Sequence, residues 1–371
     1  MVFKVQRIDL SISTPFAAPE SEIEQLLCRL MAEALDLDVV GVGDDFFQMG
    51  GDSLSAENLF LAIEEATGRR LPLSILYDRP TVRLLAETVT AGDAIRSWSP
   101  IVKVRDRGRK PPIFIVPFIG GEVIGMEPLA RHLDADRPVY CCHFIGLDPS
   151  QQPLESIEDI AAGFLSEIRR MQPAGPYHLL GACFGGLVAL ELAQRLRAEG
   201  EEVGLLCLAD TPLPDVGAAG REFGVPTGIQ FVFDRVKLFA HDLTSRRRGE
   251  RLKFLRGKAH HVASMIRSRS LPHDTKEEIA KRRVIDANHA AAQRYVPQPY
   301  GGAALYVRSR DRPSGPSQAR RVLWQTYFPA GLAVHTVACR DSGDLFGRHA
   351  RELARILSAG LSDPPPAMAK R

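Results

Sequence analysis

The chain has 371 residues and a formal net charge of +2, which leaves room for two or three ordinary folded domains. So small a net charge gives no bulk argument for nucleic-acid binding, and no apolar run is long enough for a membrane span or a signal peptide. The six cysteines lack the spacing of metal ligands, and most of them lie in apolar strand or helix patterns. We therefore expect no membrane or nucleic-acid partner, no bound metal, and reduced thiols in a cytoplasmic protein.

A small acidic helical domain is predicted at residues 18–90, after a linker remnant at residues 1–17. Apolar residues recur at helical spacing in its first third, and a loop containing D-D-F-F at residues 44–47 follows. The sequence G-G-D-S-L at residues 50–54 opens a second helix, and a third helix comes after it. With 14 acidic and 5 basic residues, this domain carries a net negative charge.

The combined motif D-D-F-F-x-x-G-G-D-S-L is similar to the signature of peptidyl carrier domains of nonribosomal peptide synthetases. In that family the serine of the motif carries covalent 4′-phosphopantetheine. The resemblance therefore implies a four-helix, all-α carrier domain, attachment at Ser53, and a phosphopantetheinyl transferase as partner. The position is physically suitable because the helix dipole favours a phosphodiester at a helix N-terminus. The competing interpretation of Ser53 is an ordinary helix N-cap.

A second domain is predicted at residues 111–362, between a polar linker at 91–110 and a disordered tail at 363–371. Short apolar strand patterns alternate with helical patterns along most of this domain. Such alternation predicts an α/β fold, with a parallel sheet covered by helices on both faces.

The clearest motif of this domain is G-A-C-F-G-G at residues 181–186, which lies between an apolar strand pattern and an apolar helix pattern. Strand, G-x-nucleophile-x-G and helix form the nucleophile elbow of α/β-hydrolases. Here Cys183 takes the position usually held by serine, and the N–H of Phe184 would face a developing oxyanion. The motif predicts that Cys183 is a covalent nucleophile, and the alternative is a small buried cysteine in a glycine-rich turn.

Residues 111–360 resemble the type I thioesterase domains that end peptide synthetases. The chain has P-F-I-G-G at residues 117–121 where the family has H-P-x-G-G, and Cys183 where the family has serine. Asp210, 27 residues after Cys183, matches the aspartate that follows the next strand. The resemblance implies an α/β-hydrolase fold, Asp210 as the acid of the triad, and backbone N–H groups of Ile119 and Phe184 as the oxyanion hole.

The same resemblance implies a helical lid at about residues 211–283, where the strand pattern stops. Residues 244–270 within it contain nine Lys or Arg residues and a single acid. This stretch is either a solvated basic helix face or a docking surface for the acidic carrier or an anionic substrate.

The histidine of the thioesterase triad is missing from its usual place after the last strand, where this chain has Asp341. His289 is our first candidate for the base, because its helix should pass the catalytic edge of the sheet on its way from the lid. His349, eight residues after Asp341, is the second candidate. A histidine packed in a helix interface remains the competing interpretation of His289.

The chain as a whole resembles the carrier–thioesterase end of monobactam-forming synthetases of the sulfazecin type. The resemblance implies that a peptidyl group passes from the arm on Ser53 to Cys183 and is released by ring closure, to a β-lactam. Its partners would be upstream synthetase domains in the same chain and the peptidyl substrate. Alternatives are hydrolytic or macrocyclising release, and a catalytically decayed module that only docks the carrier.

Overall fold

The computed structural model describes most of the chain, namely residues 5–10, 12, 14–69, 71, 73, 75–91, 99–121, 123–212, 276–310 and 327–362. These residues belong to one compact unit, formed by Met1–Pro214 and Lys276–Arg371. Most of the predicted lid, including the basic stretch at 244–270, lies outside the described residues. The predicted tail at 363–371 lies outside them as well.

The N-terminal part is a helical domain whose helices are α1 (Glu22–Leu35), α2 (Ser53–Thr67), α3 (Ile75–Asp78) and α4 (Val82–Ala91). Their apolar faces enclose one core, in which Leu27, Phe46 and Leu59 are fully buried. Ser21 caps α1 through a capping box with Glu24, because each side chain bonds to the backbone N–H of the other residue. The predicted small all-α domain is confirmed.

The segment before α1 differs from the predicted linker remnant. The Arg7 guanidinium donates to both carboxylate oxygens of Asp44, at 2.6 and 2.5 Å, and the Asp44 side chain is fully buried. Leu10, Ile12 and Ala17 pack against the core of the helical domain. The segment therefore forms part of this domain, and the ion pair that holds it joins residues too distant in sequence to give a local pattern.

The C-terminal part contains one seven-stranded sheet, whose spatial order within the described residues is β1-β3-β2-β4-β5-β6-β7. The strands are β1 (Ile101–Arg105), β2 (Ile113–Val116), β3 (Val139–Cys142), β4 (Tyr177–Ala182), β5 (Val203–Ala209), β6 (Ala304–Ser309) and β7 (Leu332–Val337). Strand β1 pairs antiparallel with β3, and every other neighbouring pair is parallel. Parallel pairing puts the carboxyl ends of β2 to β7 at one edge of the sheet.

Helices cover both faces of the sheet. They are α5 (Glu127–His132), α6 (Ile157–Met171), α7 (Gly185–Ala198), α8 (Lys276–Arg294), α9 (Ser342–Phe346) and α10 (Ala350–Ser362). Helices α5 and α10 share one core with Ile113 and Ile115, while the intervening Phe114 points to the opposite face, as strand geometry requires. The predicted α/β fold is confirmed. None of the described helices is both long enough and apolar enough to cross a bilayer.

Strand β1 corrects the predicted linker at residues 91–110. Ile101 and Val102 are buried and pair with Cys142 and Cys141, whereas Lys103 is exposed. This edge strand has only five residues and is followed by a charged stretch, so its apolar pattern is too short to distinguish it from a linker.

Candidate active site

Cys183 occupies the sharp turn between β4 and α7. Its φ of 53° lies in the left-handed region, which is strained for a residue with a side chain. The Cys183 N–H donates to the Ala209 carbonyl on β5 at 2.8 Å, and the Gly186 N–H donates to the Cys183 carbonyl at 3.0 Å. The predicted order of strand, turn and helix is confirmed, and hydrogen bonds on both sides hold the strained residue.

The glycines around Cys183 are required by close approach. A Cβ on Gly181 would lie 2.3 Å from the Gly186 Cα, and one on Gly185 would lie 2.3 Å from the Val116 carbonyl oxygen. A Cβ on Gly186 would overlap the Thr211 hydroxyl. Because the positive φ belongs to Cys183, these glycines are not needed for a left-handed backbone. They are needed because β4, the loop after β2, and α7 approach too closely for side chains between them.

Cys183 is the one cysteine of the six, all within the described residues, that is not buried. Burial raises the pKa of each of the other five thiols, to about 11 for Cys28 and Cys339. Those thiols therefore stay protonated and shielded near neutral pH. The structure leaves Cys183 as the thiol that a substrate can reach.

Asp210 lies beside Cys183 at the same edge of the sheet, because Ala182 and Ala209, the residues before them, are paired between β4 and β5. Asp210 is 2% exposed and, like Cys183, has a positive φ, of 49°. Its carboxylate accepts a hydrogen bond from the Ser309 N–H at 2.7 Å and another from the Ser309 hydroxyl. The strand ends thus bring together the predicted nucleophile and acid, with the acid fixed by β6.

The two predicted oxyanion segments also meet. Phe184 precedes the first turn of α7, and Gly185 packs directly against the carbonyl groups of Val116 and Pro117. Ile119 lies two residues further along that loop, and its carbonyl accepts a hydrogen bond from the Asn288 side chain at 2.9 Å. The loop after β2 is therefore held between the start of α7 and helix α8.

Two residues of this region were missed by the sequence reasoning. Asn288, which is 2% exposed, fixes the Ile119 loop, and Ser309 fixes Asp210. The only sequence signal for Ser309 is a polar residue at the end of an apolar strand. Asn288 offers a weaker signal still, since its partner lies 169 residues away.

His289 follows Asn288 on α8 and is half-buried. Its ring Nδ1 is buried and has no hydrogen-bond partner among the described residues. Burial lowers the pKa of His289 below the ordinary value of 6.5, and the nearby Asp286 carboxylate opposes this effect. The imidazole is therefore neutral near pH 7 and has a nitrogen available to accept a proton.

The alternative histidine occupies a different environment. His349 lies 3.9 Å from Asp344 and 3.8 Å from Glu352, measured from its ring nitrogens to their carboxylate oxygens. It lines a surface cleft with charged residues of α10 and with His132. Asp341 accepts the Asp344 N–H at 2.9 Å and thereby caps α9. The residue in the usual histidine position thus has a structural role in starting a helix.

A second candidate site, for attachment of the phosphopantetheine arm, lies at the start of α2. The N-cap of this 15-residue helix is Asp52, not Ser53; its carboxylate accepts the Ser55 N–H at 2.8 Å, and the Ser55 hydroxyl accepts the Asp52 N–H at 2.8 Å. A Cβ on Gly51 would lie 2.3 Å from the Phe46 ring, so this turn requires glycine. Ser53 thus begins the first turn without serving as its cap. The site fits 4′-phosphopantetheine, since its phosphodiester would lie at the positive end of the helix dipole.

Residues 25–89 match the family model of the phosphopantetheine attachment site, and residues 111–228 match that of the thioesterase domain. The chain is 36% identical over 202 residues to the dimodular nonribosomal peptide synthase of Bacillus subtilis strain 168. It is 37% identical over 202 residues to malpinin synthetase of Mortierella alpina. These alignments cover 54% and 53% of the chain, which spans only 8% and 3% of the relatives' lengths.

The solved structure of AB3403, a four-domain nonribosomal peptide synthetase in its holo form with AMP and glycine, has a similar fold. It aligns with 96% of this chain and 27% of its own, at a TM-score of 0.58 and 24% identity. The fold and the family matches define a helical phosphopantetheine-binding carrier domain followed by an α/β-hydrolase thioesterase domain. The chain is thus similar to the carrier and thioesterase portions of nonribosomal peptide synthetases, and its helical domain matches the family that carries covalent 4′-phosphopantetheine.

Proposed function

We propose that the chain releases the finished peptide of a nonribosomal peptide synthetase by ring closure, with Cys183 as the covalent nucleophile. Cys183 carries the proposal, because it is accessible, has a strained elbow conformation, and lies beside an aspartate that directly follows the neighbouring strand. Ser53, at the first turn of a capped helix, is the proposed attachment site of the phosphopantetheine arm.

In the first step, we assign His289 as the base that removes the Cys183 thiol proton. The sulfur attacks the carbonyl of the arriving thioester, a new C–S bond forms, the old one breaks, and the departing sulfur takes the proton. The N–H groups of Ile119 and Phe184 stabilise the oxyanion. Asp210, fixed by Ser309, would stabilise the protonated base. The prosthetic group supplies the acyl group in thioester form.

In the second step, a β-nitrogen on the last residue of the peptide attacks the carbonyl held by Cys183. A C–N bond forms, the C–S bond breaks, and the nitrogen's proton passes through the base to the Cys183 sulfur. The product is a four-membered lactam, and no water is consumed. Cysteine suits this release because exchange of one thioester for another keeps the acyl group activated, whereas serine would give a more stable oxoester.

The partners and the cellular location of this reaction are also proposals. Upstream synthetase domains would supply the peptidyl group, and a phosphopantetheinyl transferase would modify Ser53. A cytoplasmic location is supported by the cysteines, because no disulfide joins any of the six, all of which are described. Hydrolytic release, macrocyclisation and a docking-only module are the alternatives that an experiment has to separate.

The test loads Ser53 with a peptidyl arm that ends in a 2,3-diaminopropionyl residue and identifies the released product by mass. We expect a product without added water, and we expect the matched arm ending in alanine to remain bound or to be hydrolysed slowly. A product one water heavier from the diaminopropionyl arm would contradict ring closure. Absence of any acyl group on Cys183 in peptide mapping would favour the docking-only module.

A further inference from the structure

Arg131, on helix α5 of the thioesterase domain, contacts the loop that precedes Ser53. Its Nη2 donates to the carbonyl oxygens of Phe47 and Gly51, both at 2.9 Å. Gly51 lies two residues before Ser53, so the guanidinium contacts the loop that leads into α2. The contacted atoms belong to the backbone, and their position depends on the conformation of the loop.

A carboxylate of the same helix orients Arg131. Glu127, one turn earlier on α5 and 8% exposed, accepts a hydrogen bond from the Arg131 Nε. Burial raises the pKa of Glu127, Arg131 opposes this shift, and the nearby Asp45 and Asp52 of the carrier add to it. The Arg131 cation therefore lies among carboxylates of both domains, which favours its position between them.

An aromatic contact lies beside this cation. The Tyr77 hydroxyl, on α3 of the carrier, donates to the Val123 carbonyl at 3.2 Å. The Tyr77 ring stacks on Phe47, with ring centroids 4.9 Å apart and an interplanar angle of 21°. Ile124 of the thioesterase domain is buried within the core of the carrier. This contact is packed, in contrast to a loose electrostatic encounter.

The contacted loop is the one that serves the active site. Val123 and Ile124 lie four and five residues after Ile119, whose N–H is a proposed oxyanion donor. The carrier thus contacts the far end of the same loop whose near end packs against the start of α7. The carrier is thereby linked, through Val123 and Ile124, to the loop that contains Ile119.

We infer that Arg131, Glu127 and residues 123–124 form the delivery surface, on which the chain's own carrier presents its acyl arm to Cys183. The delivery surface recognises the carbonyl groups of Phe47 and Gly51 through the Arg131 Nη2, and the Tyr77 hydroxyl through the Val123 carbonyl. The inference rests on the proposed function, since it names the partner surface of that acyl transfer.

The test compares two substrates on the full chain. One is an acyl group on the Ser53 arm, whose transfer to Cys183 is followed by quenched peptide mapping. The other is the same acyl group as a small N-acetylcysteamine thioester, which reaches Cys183 without the carrier. We expect Arg131→Ala to slow transfer from the arm about tenfold, the effect of losing about 1.4 kcal/mol of charged hydrogen bonding. Acylation of Cys183 by the small thioester should stay within about twofold of the wild-type rate.

Arg170→Ala is the matched control, because Arg170 is an exposed arginine on α6 that pairs only with Glu167 among its described contacts. It should change neither rate. Tyr77→Phe, which removes one hydrogen bond and keeps the ring, should slow only transfer from the arm. Equal slowing of both substrates by Arg131→Ala, or no slowing of transfer from the arm, would overturn the inference. A wild-type chain that acylates Cys183 from neither substrate would instead refute the proposed function.

Discussion

Ser53 and Cys183, the residues proposed to carry the acyl group, both lie at the start of a helix, but the two helix starts are built differently. Helix α2 begins after an extended N-cap, Asp52, whose side chain and that of Ser55 close the first turn within four residues. Helix α7 has no side-chain cap, and the chain enters it through Cys183 in a left-handed conformation. The first start is made locally, and the second depends on β5 and the loop after β2.

This difference fits the roles proposed for Ser53 and Cys183. A carrier serine has to be modified by one enzyme and presented to others, so its helix start must be complete without a particular neighbour. A nucleophile has to stay aligned with an acid and an oxyanion hole, so its geometry is fixed by neighbouring strands. We therefore expect substitutions at one helix start to leave the function of the other intact.

The largest expected effects are a complete loss of arm attachment when Ser53 is replaced and a complete loss of product release when Cys183 is replaced. Ser53→Ala should abolish the mass gain on treatment with a phosphopantetheinyl transferase and coenzyme A, yet leave acylation of Cys183 by a small thioester intact. Cys183→Ala should load normally and release nothing. Modification of Ser53→Ala, or full release by Cys183→Ala, would contradict the assigned roles.

The next largest effect is expected at His289. Removal of a general base costs about 10²–10⁴ in rate, so His289→Ala should lose this much, while His349→Ala keeps most of the activity. A base must be neutral to accept a proton, so the rate should fall as the pH drops through the pKa of His289. Because burial lowers that pKa, the midpoint should lie below 6.5, and it should be absent from the residual rate of the variant. The opposite ranking of the two variants would transfer the role to His349.

The motifs that sequence reasoning recovered are those whose physics is local. The G-G-D-S-L turn specifies its own backbone, the glycines around Cys183 mark a sharp turn after a strand, and the alternation of strands and helices specifies the sheet. The features that it missed join distant parts of the chain. Ser309 reaches Asp210 across 99 residues, Asn288 reaches Ile119 across 169, and Arg7 reaches Asp44 across 37. Such pairs leave no periodic signal in a single sequence.

Strand β1 is a further case in which long-range contacts, and not the local sequence, determine the structure. Five residues with two exposed or half-exposed basic side chains gain their strand identity from pairing with β3, about 40 residues later. The proposed base presents the same difficulty, because the placement of α8 beside the Ile119 loop depends on a contact between residues 169 positions apart. Local motifs gave the candidate reactive residues, and long-range packing decides how they are held.

The smallest expected effect tests whether the start of α2 is local. Asp52→Ala removes the carboxylate that accepts the Ser55 N–H, and loss of such a cap costs about 1 kcal/mol. Amide hydrogen exchange in the first turn of α2 should therefore be about fivefold faster, since this factor corresponds to that free energy. Asp52→Asn is the matched control, because asparagine caps a helix about as well, and it should exchange nearly as the wild type does. Acylation of Cys183 by a small thioester should be unchanged in both variants. A loss of that acylation in Asp52→Ala would mean that the two helix starts depend on each other.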